Sequence, residues 1–218
     1  MTERRKFSRK SGLRDSHLVV IAAEGEETEK AYFDGIKGFY PNPRIHVEVL
    51  PRMDSASDPL RVLKLLDEFR SIYKLRRGHD QLWLVIDVDR WGNRKLAYVC
   101  RLCFQKRYQE AVSNPSFEIW LILHIRSLDT YSSQVQAELL SNNRINNRTR
   151  LDDELLNLLG SYNKVNPDMN TFGPLIFTAI QNACNADHHP DNRWPNELGT
   201  RVYLLAKEII PELDGEKK

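Results

Sequence analysis

With 218 residues, 41% of them apolar, the chain is long enough for one domain with a substantial core and too short for two comfortable ones. Its 32 basic and 30 acidic residues nearly balance, so the net charge of +2 selects no class of partner. No apolar run approaches the roughly 18–20 residues that span a bilayer.

The opening MTERRKFSRKSGLR has no apolar h-region, and three cysteines do not make a disulfide scaffold, so a cytoplasmic protein is the expectation. Residues 1–17 gather Arg4, Arg5, Lys6, Arg9, Lys10 and Arg14 against Glu3 and Asp15. Two readings of this stretch stand: a flexible basic arm that touches nucleic-acid phosphates through Arg4, Arg5 and Arg9, or a solvated tail.

Leu18 to Ala23 (LVVIAA) is a continuous apolar, β-rich run, which predicts a strand covered on both faces. Thr28 is placed to cap a helix over about 29–39, ended by YPNP, and Ile45 to Leu50 predicts a second strand. SASDP introduces a helix with Leu60, Leu63, Leu66, Phe69 and Tyr73 along one side. A third strand, Leu82 to Ile86, ends in acids. A helix over about 94–105 then leads to a short strand, Tyr108 to Val112. Alternating strands and helices predict a mostly parallel sheet of about four strands with helices on both faces, followed by a helical C-terminal portion.

From residue 114 the pattern is helical. Asn114 is the expected cap and Pro115 the first position of a helix whose body, Phe117 to Ile125, is apolar nearly all round and therefore buried. SNNRINNRTR predicts a polar loop in which Arg144, Arg148 and Arg150 either contact a nucleic-acid backbone or are merely solvated. LDDELLNLLG predicts a short helix, residues 171–186 a longer one, and RVYLLAKEII a last helix or strand-like run.

Four glutamates crowd into six positions behind the first strand: Glu24, Glu26, Glu27 and Glu29. Sheets of this type bear their sites outside the carboxyl ends of the strands, which puts Glu24 and the pair Asp87 and Asp89 on one rim. Carboxylates so gathered raise one another's pKa or call for a counter-charge, and a hard cation such as Mg²⁺ answers that demand. The bland alternatives are that acids favour a helix start and that aspartates after a strand cap loops. Glu118 stands one turn into an otherwise apolar helix, where its carboxylate must find a cation or the free amides of the helix start. His124, deeper in that helix, reads as a satisfied core histidine. Cys100, Cys103, Cys184 and His188 could be assembled on paper into a zinc site, but CxxC within a helix more simply marks small buried residues.

The motifs EGEETEKAYF, DVDR and SNPSFEIWLILH resemble those of the RloB-like family, Toprim-domain proteins of bacterial restriction and abortive-infection loci. The resemblance runs over about 17–127 and thinly onward through YNK and GTRVYLL. It implies a Toprim-like core over 18–127 with a mainly helical extension over 128–218. It also implies a nuclease that uses Mg²⁺ or Mn²⁺ to hydrolyse DNA or RNA in antiphage defence, beside an AAA or ABC-type ATPase. Glu24 would be general base or metal ligand, Asp87 and Asp89 metal ligands, Glu29 and Glu118 further ligands or orienters, and Lys164 the stabiliser of the transition state. Glu26 and Glu27 are assigned to an exposed first turn. No GxxxxGK[ST] loop occurs, so ATP-driven switching would come from the partner. Two rivals remain: a non-catalytic nucleic-acid-binding or regulatory subunit, and a hydrolase of small phosphoesters.

Overall fold

The computed structural model describes residues 16–25, 27–51, 58–88 and 91–210. Arg4, Arg5, Arg9, Glu26 and Asp89 lie outside them. The four expected strands are present as β1 (His17–Ala23), β2 (Ile45–Val49), β3 (Gln81–Asp87) and β4 (Gln109–Asn114). Between them run α1 (Thr28–Phe39), α2 (Pro59–Ile72) and α3 (Asn93–Lys106). After β4 come α4 (Glu118–Ile125), α5 (Ser133–Ser141) and the two-residue strands β5 (Arg144–Ile145) and β6 (Arg148–Thr149). The chain continues through α6 (Arg150–Leu159), α7 (Met169–Phe172), α8 (Ile176–Ala186), β7 (Gly199–Thr200) and α9 (Val202–Ile209).

Continuous apolar runs become strands buried on both faces because alternate side chains enter two different cores. Val19, Ile21 and Ala23 of β1 join Trp83 and Val85 of β3 in the larger one, with α1, α4, α8 and α9 over them. Leu18, Val20 and Ala22 turn the other way, with Leu84 and Ile86, under α2 and α3. The sheet order is β2-β1-β3-β4-β7, parallel except for the β4–β7 pair. From β1 the chain steps outward over one face through α1 to β2, then returns across the other face through α2 to β3. Strand order therefore reverses between β1 and β3, and the crevice at their carboxyl ends is the place such sheets offer to a ligand.

Local chemistry sets the element ends. The Asp58 carboxylate accepts from the Leu60 N–H at 2.9 Å, with Pro59 in the first turn of α2. Thr149 and Asp152 close a reciprocal capping box on α6, and Gly160, at φ 72°, ends it. The α4 helix is the predicted buried rod: Ile119, Trp120, Leu121, Ile122 and Leu123 are all 0% exposed. His124 is the predicted core histidine. Its Nδ1 lies 2.9 Å from the Trp120 carbonyl and its Nε2 3.0 Å from the Tyr32 hydroxyl, an arrangement in which Nδ1–H donates and Nε2 accepts. Burial lowers its pKa to about 4, so it stays neutral.

Several expectations are corrected. Asn114 does not cap α4; it is the last residue of β4, pairs with Gly199 and donates its amide to the Pro195 carbonyl. The Asn114–Pro115 bond is cis, and the helix begins at Glu118. Thr28 does not cap α1: its hydroxyl donates to the Lys164 carbonyl at 2.7 Å, a tertiary partner outcompeting the local one. The single helix expected over 171–186 is broken by a 3-10 turn, Gly173–Leu175, because Pro174 cannot donate to a continuing α-helix. The polar loop at 141–150 holds a hairpin whose turn residues, Asn146 and Asn147, both have positive φ. Among the described residues, no helix is long and apolar enough to cross a membrane.

Candidate active site

A cavity of about 420 Å³ opens at the reversal point, lined among others by Glu24, Glu29, Asp87, Glu118 and Lys164. Each comes from a different place in the chain: Glu24 follows β1, Asp87 ends β3, Glu29 stands in the first turn of α1, Glu118 begins α4, and Lys164 lies in the loop after α6. Arg144 of the hairpin also lines the cavity, with Asn142, Thr149 and Ser116, whereas Arg148 does not.

Glu24 is 4% exposed, which obliges its carboxylate to find donors. The Asp87 backbone N–H reaches its Oε2 at 3.2 Å, tying the ends of β1 and β3 together. The Trp91 indole N–H lies 3.0 and 3.1 Å from the two oxygens. Lys95 covers the Trp91 ring at 4.1 Å and pairs with Asp58 at 2.9 Å, so the indole is itself held.

Glu29 has a poorer environment. It is 5% exposed, and its Oε1 accepts the Gly25 N–H at 3.0 Å. A Cβ on Gly25 would stand 1.7 Å from Glu29 Oε2, so only glycine lets the carboxylate come this close. Burial, then the neighbouring charges of Glu118 and Glu24, push the Glu29 pKa up to about 7. The contrast with Glu154 is instructive: that buried acid receives Arg150 at 3.0 Å and the Tyr131 hydroxyl at 2.8 Å. Glu29 has no ion pair among the described residues.

Glu118 does not turn to the free amides of its own helix. Ser116 donates its hydroxyl to Oε2 at 2.7 Å, and the Lys164 ammonium pairs with Oε1. Lys164 also approaches Asp152 at 3.4 Å. Burial alone would lower its pKa, but Glu118 and Asp152 more than offset this and hold it above the ordinary lysine value, so it is charged. Tyr162, two residues earlier, is raised by burial and then by Glu118, Asp152 and Glu29.

The cavity thus collects Glu24, Asp87, Glu29, Glu118, Lys164 and Arg144 of the expected set. Glu27, expected in an exposed first turn, is exposed but stands just before α1 and also lines the cavity. Among the described residues, no three His, Cys, Asp or Glu side chains form a group that could hold a metal ion. Glu24 is turned to Trp91 and the Asp87 amide, and Glu118 to Lys164, while Asp89, the other acid of the expected D-x-D, lies outside the described residues. Cys100 and Cys103 are buried and Cys184 is exposed, and burial pushes the first two thiols up toward their inert form. Trp91, Ser116 and Thr149 were not singled out by sequence reasoning. Only for Trp91 was there a signal, an N–H-bearing ring just beyond the D-x-D-R motif.

Glu29 makes a testable pH signature. Its pKa is higher folded than unfolded, so its contribution to stability is whole below about pH 4.5 and is lost as pH rises through about 7. Without added metal, Glu29→Gln is therefore expected to gain on wild type between pH 5 and 8, by on the order of 3 kcal/mol at the top. Parallel thermal melts of the two proteins read that difference; a constant gap would show that Glu29 is ordinarily ionised.

Residues 19–209 match the family model described as RloB-like protein. No curated protein and no solved structure matches the chain.

Proposed function

Because the chain belongs to the RloB-like family, we propose that its acidic pocket is the active site of a Toprim-type, metal-dependent nuclease that hydrolyses DNA or RNA in antiphage defence beside an ATPase partner. The observation that carries this reading is the convergence of Glu24 and Asp87, from the adjacent carboxyl ends of β1 and β3, with Glu29 and Glu118 in one pocket.

Glu24 and Asp87, with Asp89 of the same D-x-D, would hold Mg²⁺ or Mn²⁺, which when bound polarises a phosphodiester and lowers the pKa of water. The donor set suits a hard ion. The acids lining the pocket offer carboxylate oxygens, and neither cysteine nor histidine lines it among the described residues. Burial first, and then the charges of Glu118 and Glu24, raise the Glu29 pKa, and a divalent cation would relieve the part due to charge repulsion.

The chain's own groups divide the remaining work. Glu24, oriented by the Trp91 indole and the Asp87 amide, is the general base. Glu29 and Glu118 bring further carboxylates to the pocket, as ligands or orienters of the ion. Lys164 supplies fixed positive charge for the phosphoryl oxygens as negative charge builds on them. Arg144 offers a planar fork to a neighbouring phosphate.

The test is cleavage of plasmid, single-stranded DNA and total tRNA with Mg²⁺ or Mn²⁺, by wild type and Glu24→Gln, each with and without a candidate ATPase. Cleavage by wild type alone, lost in the variant, is the expected result. Binding without cleavage is the second reading, favoured by one observation: Glu24 and Glu118 already have internal partners. Salt-sensitive binding by both proteins, with no cleavage by either, would select it.

A further inference from the structure

At the opposite end of the sheet, beneath the amino ends of β3 and β4, lies a second and larger cavity, about 680 Å³. Its charge is reversed. Arg70, Arg76, Arg77, Lys106 and Arg107 line it, with Asp80 the one carboxylate among its lining residues.

That carboxylate is turned inward. Its side chain is 1% exposed; it accepts the backbone N–H of Arg76 at 2.7 Å and of Leu18 at 3.2 Å, and it pairs with the Arg76 guanidinium. Two further acids are bonded to residues of the cavity's lining or beside it. Asp67 binds Lys106 at 2.8 Å and the Tyr108 hydroxyl at 2.9 Å, and Glu208 accepts from the Gln81 amide at 2.9 Å. Arg77 and Arg107 are different: both are exposed and neither has an ion pair among the described residues. Backbone geometry presents them. Gly78, at φ 73°, turns the chain just after Arg77, and Arg107 caps α3 at φ 61°. Tyr73, Leu75 and Leu82 give the same cavity apolar walls.

A concave site with two unpaired guanidinium forks beside apolar and aromatic walls suits a flat, anionic molecule. Its volume falls within the roughly 300–1,000 Å³ of small-molecule sites. We infer that this basic cavity binds a phosphate-bearing ligand of nucleotide size, with Arg77 and Arg107 on the phosphate and Tyr73, Leu75 and Leu82 against the flat part. The chemistry is shared by two sources, a free nucleotide and the phosphorylated end of a nucleic acid. The inference does not depend on the nuclease reading, because no residue of the acidic pocket takes part.

The experiment is equilibrium binding at low and moderate salt, with four probes: inorganic phosphate, a nucleoside 5′-monophosphate, a nucleoside triphosphate, and a short oligonucleotide with or without its 5′-phosphate. Wild type is compared with Arg77→Glu, with Arg107→Asn, which removes the charge but keeps a residue at home at positive φ, and with Glu24→Gln. The expected result is saturable binding of phosphate and of the mononucleotides weakened at least tenfold by either basic-cavity variant, while Glu24→Gln reports on the acidic pocket through cleavage. Preference for the free nucleotides, or for the 5′-phosphorylated oligonucleotide over its unphosphorylated twin, identifies the source. Absence of saturable binding by every probe, or wild-type affinity in both arginine variants, would overturn the inference. Cleavage lost in Glu24→Gln with phosphate binding retained separates this site's fate from that of the acidic pocket.

Discussion

Asp87→Asn is expected to lower metal-dependent cleavage by about 10³-fold or more, near 4 kcal/mol of transition-state stabilisation, while leaving the melting temperature within a few degrees of wild type. The substitution is close to isosteric. Asp87 is the last residue of β3, in register with Ser113 of β4, and the N–H that binds Glu24 belongs to its backbone. What the variant removes is one charge from the pocket, and with it, on the nuclease reading, a ligand for the ion. Manganese titration calorimetry should show the same loss without any cleavage assay. A variant that cleaves within tenfold of wild type and binds manganese equally well would remove Asp87 from the site.

Trp120→Ala is the largest expected change in stability, a loss of about 3–5 kcal/mol, with a fall in melting temperature of roughly 10 °C or more. Trp120 is fully buried at the centre of α4, edge-on to Tyr32 at 6.3 Å and to His124 at 5.0 Å between ring centroids. Its truncation opens a void between α1 and α4, and well-packed neighbours close such voids only in part. Trp120→Phe, which keeps an aromatic ring there, should cost less than half as much. Since α4 carries Glu118 at its start, the alanine variant should also lose activity at temperatures well below its midpoint. Equal melting temperatures for the two variants would mean that the ring's volume is not what holds α1 against α4.

Much of this architecture is legible in the chain itself. LVVIAA and LWLVI are short, rich in β-formers and apolar at every position, as strands buried on both faces of a sheet are. The carboxyl-end rule then brings Glu24 to Asp87 before any coordinates are known. Other features leave no such trace. Gly199 and Thr200 form a two-residue strand, too short for any periodicity, and the α5 helix buries only Leu139. Thr28 and Asn114 look like caps from their neighbours, yet each takes a partner far along the chain, which no local pattern reveals. Lys164 was reached through the family motif alone. The pairing that fixes its role in the pocket, with Glu118, depends on how α6 and its following loop fold over α4.

The late origin of β7 has a consequence for the newborn protein. Ser113 and Thr200, which face each other across the β4–β7 pair and share a hydroxyl contact of 2.8 Å, are 87 positions apart. On a ribosome adding roughly 5–20 residues per second, the free edge of β4 waits on the order of 10 s for its cover. Through that interval an unpaired strand rim is open to other chains. Through much of it Glu24 and Asp87 have been made while Lys164 has not, so the pocket cannot be complete before most of the sequence has left the tunnel. Whatever chemistry the pocket performs must wait until the chain is nearly whole.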